Sequence, residues 1–126
     1  MSPEVKAAYD AMPAEVRAGA LALHDLVLGV AAEVPEAGAI AEELRWGEPA
    51  YLTPETKSGT TIRVAAPKAG GVGLFVNCRT TLIGEFREVA PHLRFDGNRG
   101  VVFDAGEAPD AEALAVLIRA ALTYRL

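Results

Sequence analysis

One short run, Arg45-Trp46-Gly47-Glu48-Pro49-Ala50-Tyr51, gathers the chain's only tryptophan, a carboxylate and one of its three tyrosines. An indole and a phenol offer flat apolar area with a polar tip, a lining that suits a small planar ligand. Gly47 permits a tight exit from a helix, and Pro49 cannot donate to a sheet ladder, so the run reads as a helix-to-strand corner. Trp46, Glu48 and Tyr51 are therefore the first candidates for a ligand-binding site. The alternative use of the same indole is as a plug between helices and sheet, since buried aromatic side chains mostly serve packing.

Cys78 is the second candidate. It precedes a helix expected from Thr80, and helix-start N–H groups with the adjacent Arg79 are the setting that favours a thiolate. A nucleophile also needs a positioned base. The two histidines, His24 within a helix and His92 beyond Pro91, have no sequence relation to Cys78. An inert, half-buried thiol is the competing reading. Other hydrolytic arrangements are missing: the only serines are Ser2 and Ser58, and Gly70-Gly71-Val72-Gly73 precedes a strand, whereas phosphate loops follow one.

Carboxylates form the third set. Glu33, Glu36, Glu42 and Glu43 fall around a helix predicted from Pro35 to about Leu44, on which Glu36 and Glu43 would share a face. Oxygen-only ligand sets suit hard ions and weak ferrous binding. A solvated acidic helix face would have the same composition. Neither His-x-x-x-His nor Cys-x-x-Cys occurs, which argues against zinc.

The elements that must position these groups follow from periodicity. Helices are expected over Pro3–Met12, capped by Ser2, and from Pro13 to about Val34, with Val16, Ala20, Leu23, Val27 and Val30 facing a core. After Gly47 the period shortens. Strands are expected at Ala50–Leu52, Thr61–Ala66 and Val72–Asn77, the last two joined through Lys68-Ala69-Gly70-Gly71. If those two pair, Arg63, Phe75 and Asn77 share one face and extend the candidate ligand site. A helix over Thr80–Ala90, a hairpin of Leu93–Phe95 with Gly100–Phe103, and a last helix from a cap at Asp110 to about Thr123 complete the chain. The sum is α+β: an antiparallel sheet of about five strands covered by helices on one face.

Composition bounds the partners. The chain has 126 residues, is 51% hydrophobic and 23% charged, and fits one domain. Its net charge is −5, and its arginines are scattered singly, so nucleic acid is not an expected partner. No apolar run reaches the roughly 20 residues of a membrane span. A single cysteine and an N-terminus without a leader pattern point to the cytoplasm.

Four segments carry a resemblance to a known family: Arg45–Tyr51, Asn77-Cys78-Arg79-Thr80-Thr81-Leu82, Asp96-Gly97-Asn98-Arg99-Gly100 and Ala121-Leu122-Thr123-Tyr124. Together they resemble the YdhG-like bacterial domains across residues 14–126. The resemblance implies a single YdhG-like domain, residues 1–126, with a frataxin-like fold. Most such domains have no assigned biochemistry, and one acts as an iron chaperone. Glu48 departs from the family, which often has an apolar residue there. Two functions are thus expected. The first is a non-enzymatic binding module, monomer or homodimer, holding a small molecule or protein near the Trp46–Tyr51 corner and needing no cofactor. The alternative is an iron-chaperone-like protein binding Fe(II) weakly through Glu36, Glu42 and Glu43. An enzyme built on Cys78 ranks behind both, because no acid–base pair has a recognisable spacing.

Overall fold

The computed structural model describes all residues, 1–126. Helix α1 (Pro3–Asp10) starts where Ser2 Oγ accepts the Val5 N–H, and it is followed across Pro13 by α2 (Ala14–Ala32). A three-residue 3₁₀ turn (Pro35–Ala37) leads to β1 (Ala41–Arg45) and β2 (Glu48–Leu52). Then come β3 (Ile62–Ala65), β4 (Val72–Phe75), α3 (Leu82–Val89), β5 (Arg94–Asp96), β6 (Gly100–Phe103) and α4 (Ala111–Leu122). The six strands form one sheet in the order β1-β2-β3-β4-β6-β5, antiparallel throughout. The class is α+β, as the change of period predicts.

One element differs from the sequence expectation. The segment predicted as a third helix is a short 3₁₀ turn and then strand β1, which raises the sheet from five strands to six. Ala, Glu, Leu and Arg are good helix formers, but that preference is worth only tenths of a kcal/mol per residue. Pro35 and a positive φ of 79° at Gly38 limit the turn to three residues. Beyond it, Ala41–Arg45 pairs with β2 along its whole length, from Ala41 opposite Leu52 to Arg45 opposite Glu48. Ladder hydrogen bonds and cross-strand contacts override the local preference.

Side-chain parity sorts the sheet into two faces. Tyr51, Ile62, Val64, Leu74, Val76 and Val101 point inward and merge with the apolar stripes of all four helices into one core. Leu114, Leu117, Ile118 and Leu122 of α4 are fully covered there, each contributing about 1.5–3 kcal/mol by burial. The helix is anchored at its start by Asp110, whose side chain accepts the Ala113 N–H; that bond, and then His92, hold the Asp110 carboxyl below the usual carboxylate range. At its other end the 53–60 loop supplies donors to carbonyls that have no helical partner. Thr60 N–H donates to Ala121 O, and Ser58 Oγ donates to Leu122 O, both at 2.9 Å.

The outer face bears no helix. Its central row runs Ala50, Arg63, Phe75, Gly100 across β2, β3, β4 and β6. Phe75 stands outside the main core yet is only 3% exposed. Its ring lies flat across Gly73 and Gly100: a Cβ at Gly73 would sit 2.8 Å from Phe75 Cε2, and one at Gly100 would overlap the other ring edge. The Arg63 and Arg99 guanidiniums cover it, at 5.9 and 5.4 Å from the ring centroid.

Gly100→Ala should therefore lower stability by about 1–3 kcal/mol, because the ring cannot stay flat. In urea unfolding, combining it with Phe75→Ala should cost clearly less than the sum of the two single changes. Strict additivity would show that the ring and the glycine do not meet.

Candidate functional site

The Trp46 corner is a hairpin tip. Arg45 and Glu48 are paired, leaving Trp46 and Gly47 as a two-residue loop, and both take positive φ, 52° and 76°. That is the signature of a type I′ turn, where Asn-Gly is favoured. An L-residue in this region costs about 1–2 kcal/mol. Trp46 is 88% exposed, so the plug reading fails. One face of its ring meets Arg63, whose guanidinium carbon is 5.3 Å from the ring centroid.

Tyr51 is not at the corner. Glu48 and Ala50 share parity with Arg63 on the outer face, whereas Pro49 and Tyr51 point the opposite way. The Tyr51 hydroxyl is buried under α1 and α2, where it hydrogen-bonds the Tyr9 hydroxyl and lies 2.7 Å from His24 Nδ1. Burial pushes both phenols above their usual range, and the partner phenol raises Tyr51 further, so the pair stays neutral. Glu42 also points inward, its Oε1 3.8 Å from His24 Nδ1 and its Oε2 buried without a hydrogen-bond partner.

The remaining acidic candidates disperse for the same reason. Glu36 is exposed on the 3₁₀ turn, and Glu43 faces outward, 3.1 Å from Arg45. Without the predicted helix, Glu36, Glu42 and Glu43 share no face. No three His, Cys, Asp or Glu side chains are placed to hold a metal ion together.

Arg63, Phe75 and Asn77 do share the outer face, with Arg63 directly opposite Phe75. Around them opens a cleft of about 640 Å³, within the range of small-molecule sites. Trp46, Arg63 and Asn77 line it, joined by Thr60 and Thr61 before β3, and by Cys78 after β4. Its dominant feature escaped the sequence reading. Arg45, Arg63, Arg79, Arg99 and Arg125 all line this cleft, and no carboxylate does.

Three of the five have acidic partners beside the cleft. Arg45 pairs with Glu43, Arg99 with Asp96 at 3.0 Å, and Arg63 with Glu48 at 2.5 Å. Glu48 thus acts on the site by fixing Arg63 between Trp46 and Phe75. Arg79 has no ion pair, and Arg125 donates only to the Gly59 carbonyl at 2.8 Å. The main chain of Arg125 is held too, its N–H donating to Ser58 O at 2.7 Å. Cys78 is exposed at the wall. Neither histidine lines the cleft: His24 lies across the sheet in the core, and His92 is 3.1 Å from Asp110.

The chain matches no family model, no curated protein and no solved structure.

Trp46 and Tyr51 should respond in opposite ways. Trp46→Asn should leave stability within about 1 kcal/mol of wild type, since a favourable turn residue offsets the lost cation–π contact. Tyr51→Phe should cost about 1–3 kcal/mol, because it strips a partner from two buried polar groups. Denaturant titration of both variants checks this, and the reverse order would show that the indole, not the phenol, supports the fold.

Proposed function

We propose that this protein is a non-enzymatic binding module that holds a small anionic ligand in the arginine-lined cleft of the outer sheet face. One observation carries the reading: five of nine arginines line a single cleft without a carboxylate, in a chain of net charge −5. Like charges gathered against the overall balance repel one another, and an anion relieves that repulsion. Arg79 and Arg125 are the uncompensated pair and would make the charge-assisted hydrogen bonds, with Arg63 and Arg99 as a fixed cationic floor. The lining has no histidine and no carboxylate to accept a proton, which favours binding over catalysis and leaves Cys78 without a base.

The segments behind the resemblance to YdhG-like domains support the same place. Trp46, the Asn77-Cys78-Arg79 run and Arg99 come from three of them and meet at this cleft, and Arg125 directly follows the fourth. We take the chain to be a YdhG-like domain on that ground. A free, exposed thiol suits a reducing compartment, so the cytoplasm is its proposed location. No helix is long and apolar enough to cross a membrane.

Pyrophosphate is a suitable probe. Calorimetry at low salt should show binding that weakens as salt rises. Replacing both Arg79 and Arg125 by Gln should reduce the affinity at least tenfold, given about 1.5–3 kcal/mol for a hydrogen bond to a charged group. Arg119→Gln, which removes a charge from an exposed pair with Glu33, is the control and should have little effect. Bound pyrophosphate should also slow alkylation of Cys78. Equal losses in the control and the double variant, or no binding at all, would refute the site.

A further inference from the structure

Trp46 adds information that the arginines alone do not. Its side chain stands outside the core on a turn whose backbone favours Asn or Gly, and it occupies the rim of the cationic cleft. Left-handed backbone at a non-glycine residue is enriched at ligand-contacting positions. One ring face is occupied by Arg63, and at 88% exposure the other is open. The cation beneath also fixes the ring, which is the condition for a stacking platform.

We infer that the ligand carries a planar aromatic ring as well as its anionic group, a phosphate ester of the nucleotide class in which a sugar joins the base to the phosphate. The ring stacks on the open face of Trp46, and the phosphate oxygens accept hydrogen bonds from Arg79 and Arg125. The inference rests on the anion-site reading and adds the ring to it.

Two other uses of an exposed indole fit less well. A protein partner would seat Trp46 in an apolar, charge-depleted patch, but most of its cleft neighbours are polar, five of them arginines. A nucleic-acid strand needs a basic groove that follows the backbone over several nucleotides. Here the arginines that share a lining surround one cleft of about 640 Å³, the size of a single small ligand.

The test compares ADP, pyrophosphate and adenosine on the intact chain. Trp46 is the only tryptophan, so intrinsic fluorescence reports on this ring alone. ADP should bind at least about tenfold more tightly than pyrophosphate and quench the emission, in line with the usual worth of base–aromatic stacking. Adenosine should bind far more weakly than ADP. Read by calorimetry, since the variant has no tryptophan, Trp46→Asn, with its melting temperature measured alongside, should cost ADP about tenfold more affinity than it costs pyrophosphate. If ADP and pyrophosphate bind equally, or if Trp46→Asn penalises them equally, the ring is wrong while the anion site stands. If neither binds, both readings fall. A single-stranded octanucleotide that binds far more tightly than ADP would overturn the small-ligand assignment in favour of a strand.

Discussion

The outer face depends on one close approach: the Phe75 ring lying flat against the backbone at Gly73 and Gly100. Any side chain at either glycine would lift it. Laid down, the ring leaves one face uncovered by backbone, and Arg63 and Arg99 lie over it. Both guanidiniums are further tied to carboxylates, Glu48 and Asp96, so they lose little further freedom on meeting an anion. Arg63 in turn supports Trp46. A chain of contacts thus runs from two glycines through one phenylalanine to the rim of the cleft. The same flattened ring explains how a large apolar residue can be covered on a face that no helix shields.

The two faces of the sheet solve opposite electrostatic problems. Inside, polar groups are few: two neutral phenols and an imidazole share hydrogen bonds, and Glu42 beside them keeps one buried oxygen without a partner. Outside, Arg63 and Arg99 lie against aromatic rings, and Arg79 and Arg125 are left without a carboxylate partner. Charge on the outer face can face water when the cleft is empty, whereas charge inside could not, and this difference is what allows an arginine excess to exist there. The single residue step between Ala50 and Tyr51 divides these two environments.

Much of the architecture was legible in the chain. The stripes of α2 and α4, the caps at Ser2 and Asp110, and the alternation around Ile62 and Val64 follow directly from local chemistry. Alternation also placed Arg63, Phe75 and Asn77 on one face. What failed was parity at the corner. Reading Trp46-Gly47 as a helix exit, instead of a hairpin tip, hid β1, made a helix face of Glu36 and Glu43, and put Tyr51 beside Trp46. The Gly47 that follows Trp46 was the available signal, weakened because the first turn position holds Trp in place of Asn. The arginine cleft had no local signal at all. Its members stand far apart in sequence and share no window, so only strand order and the return of the C-terminal turn bring them together.

That return has a thermodynamic consequence. The 53–60 loop is stitched to the end of α4 by Thr60, Ser58 and the main chain of Arg125, and the two sides of this seam contribute Thr60 and Arg125 to the cleft. The site is therefore discontinuous, assembled from the early, middle and last parts of the chain, and no fragment or partly folded intermediate possesses it. Occupancy is linked to the cooperative folding equilibrium of the whole domain: a ligand selects against every state in which the seam is open, by an amount set by its concentration relative to its dissociation constant. The cleft so becomes a reporter of global integrity, and filling it adds exchange protection to the amides along the seam.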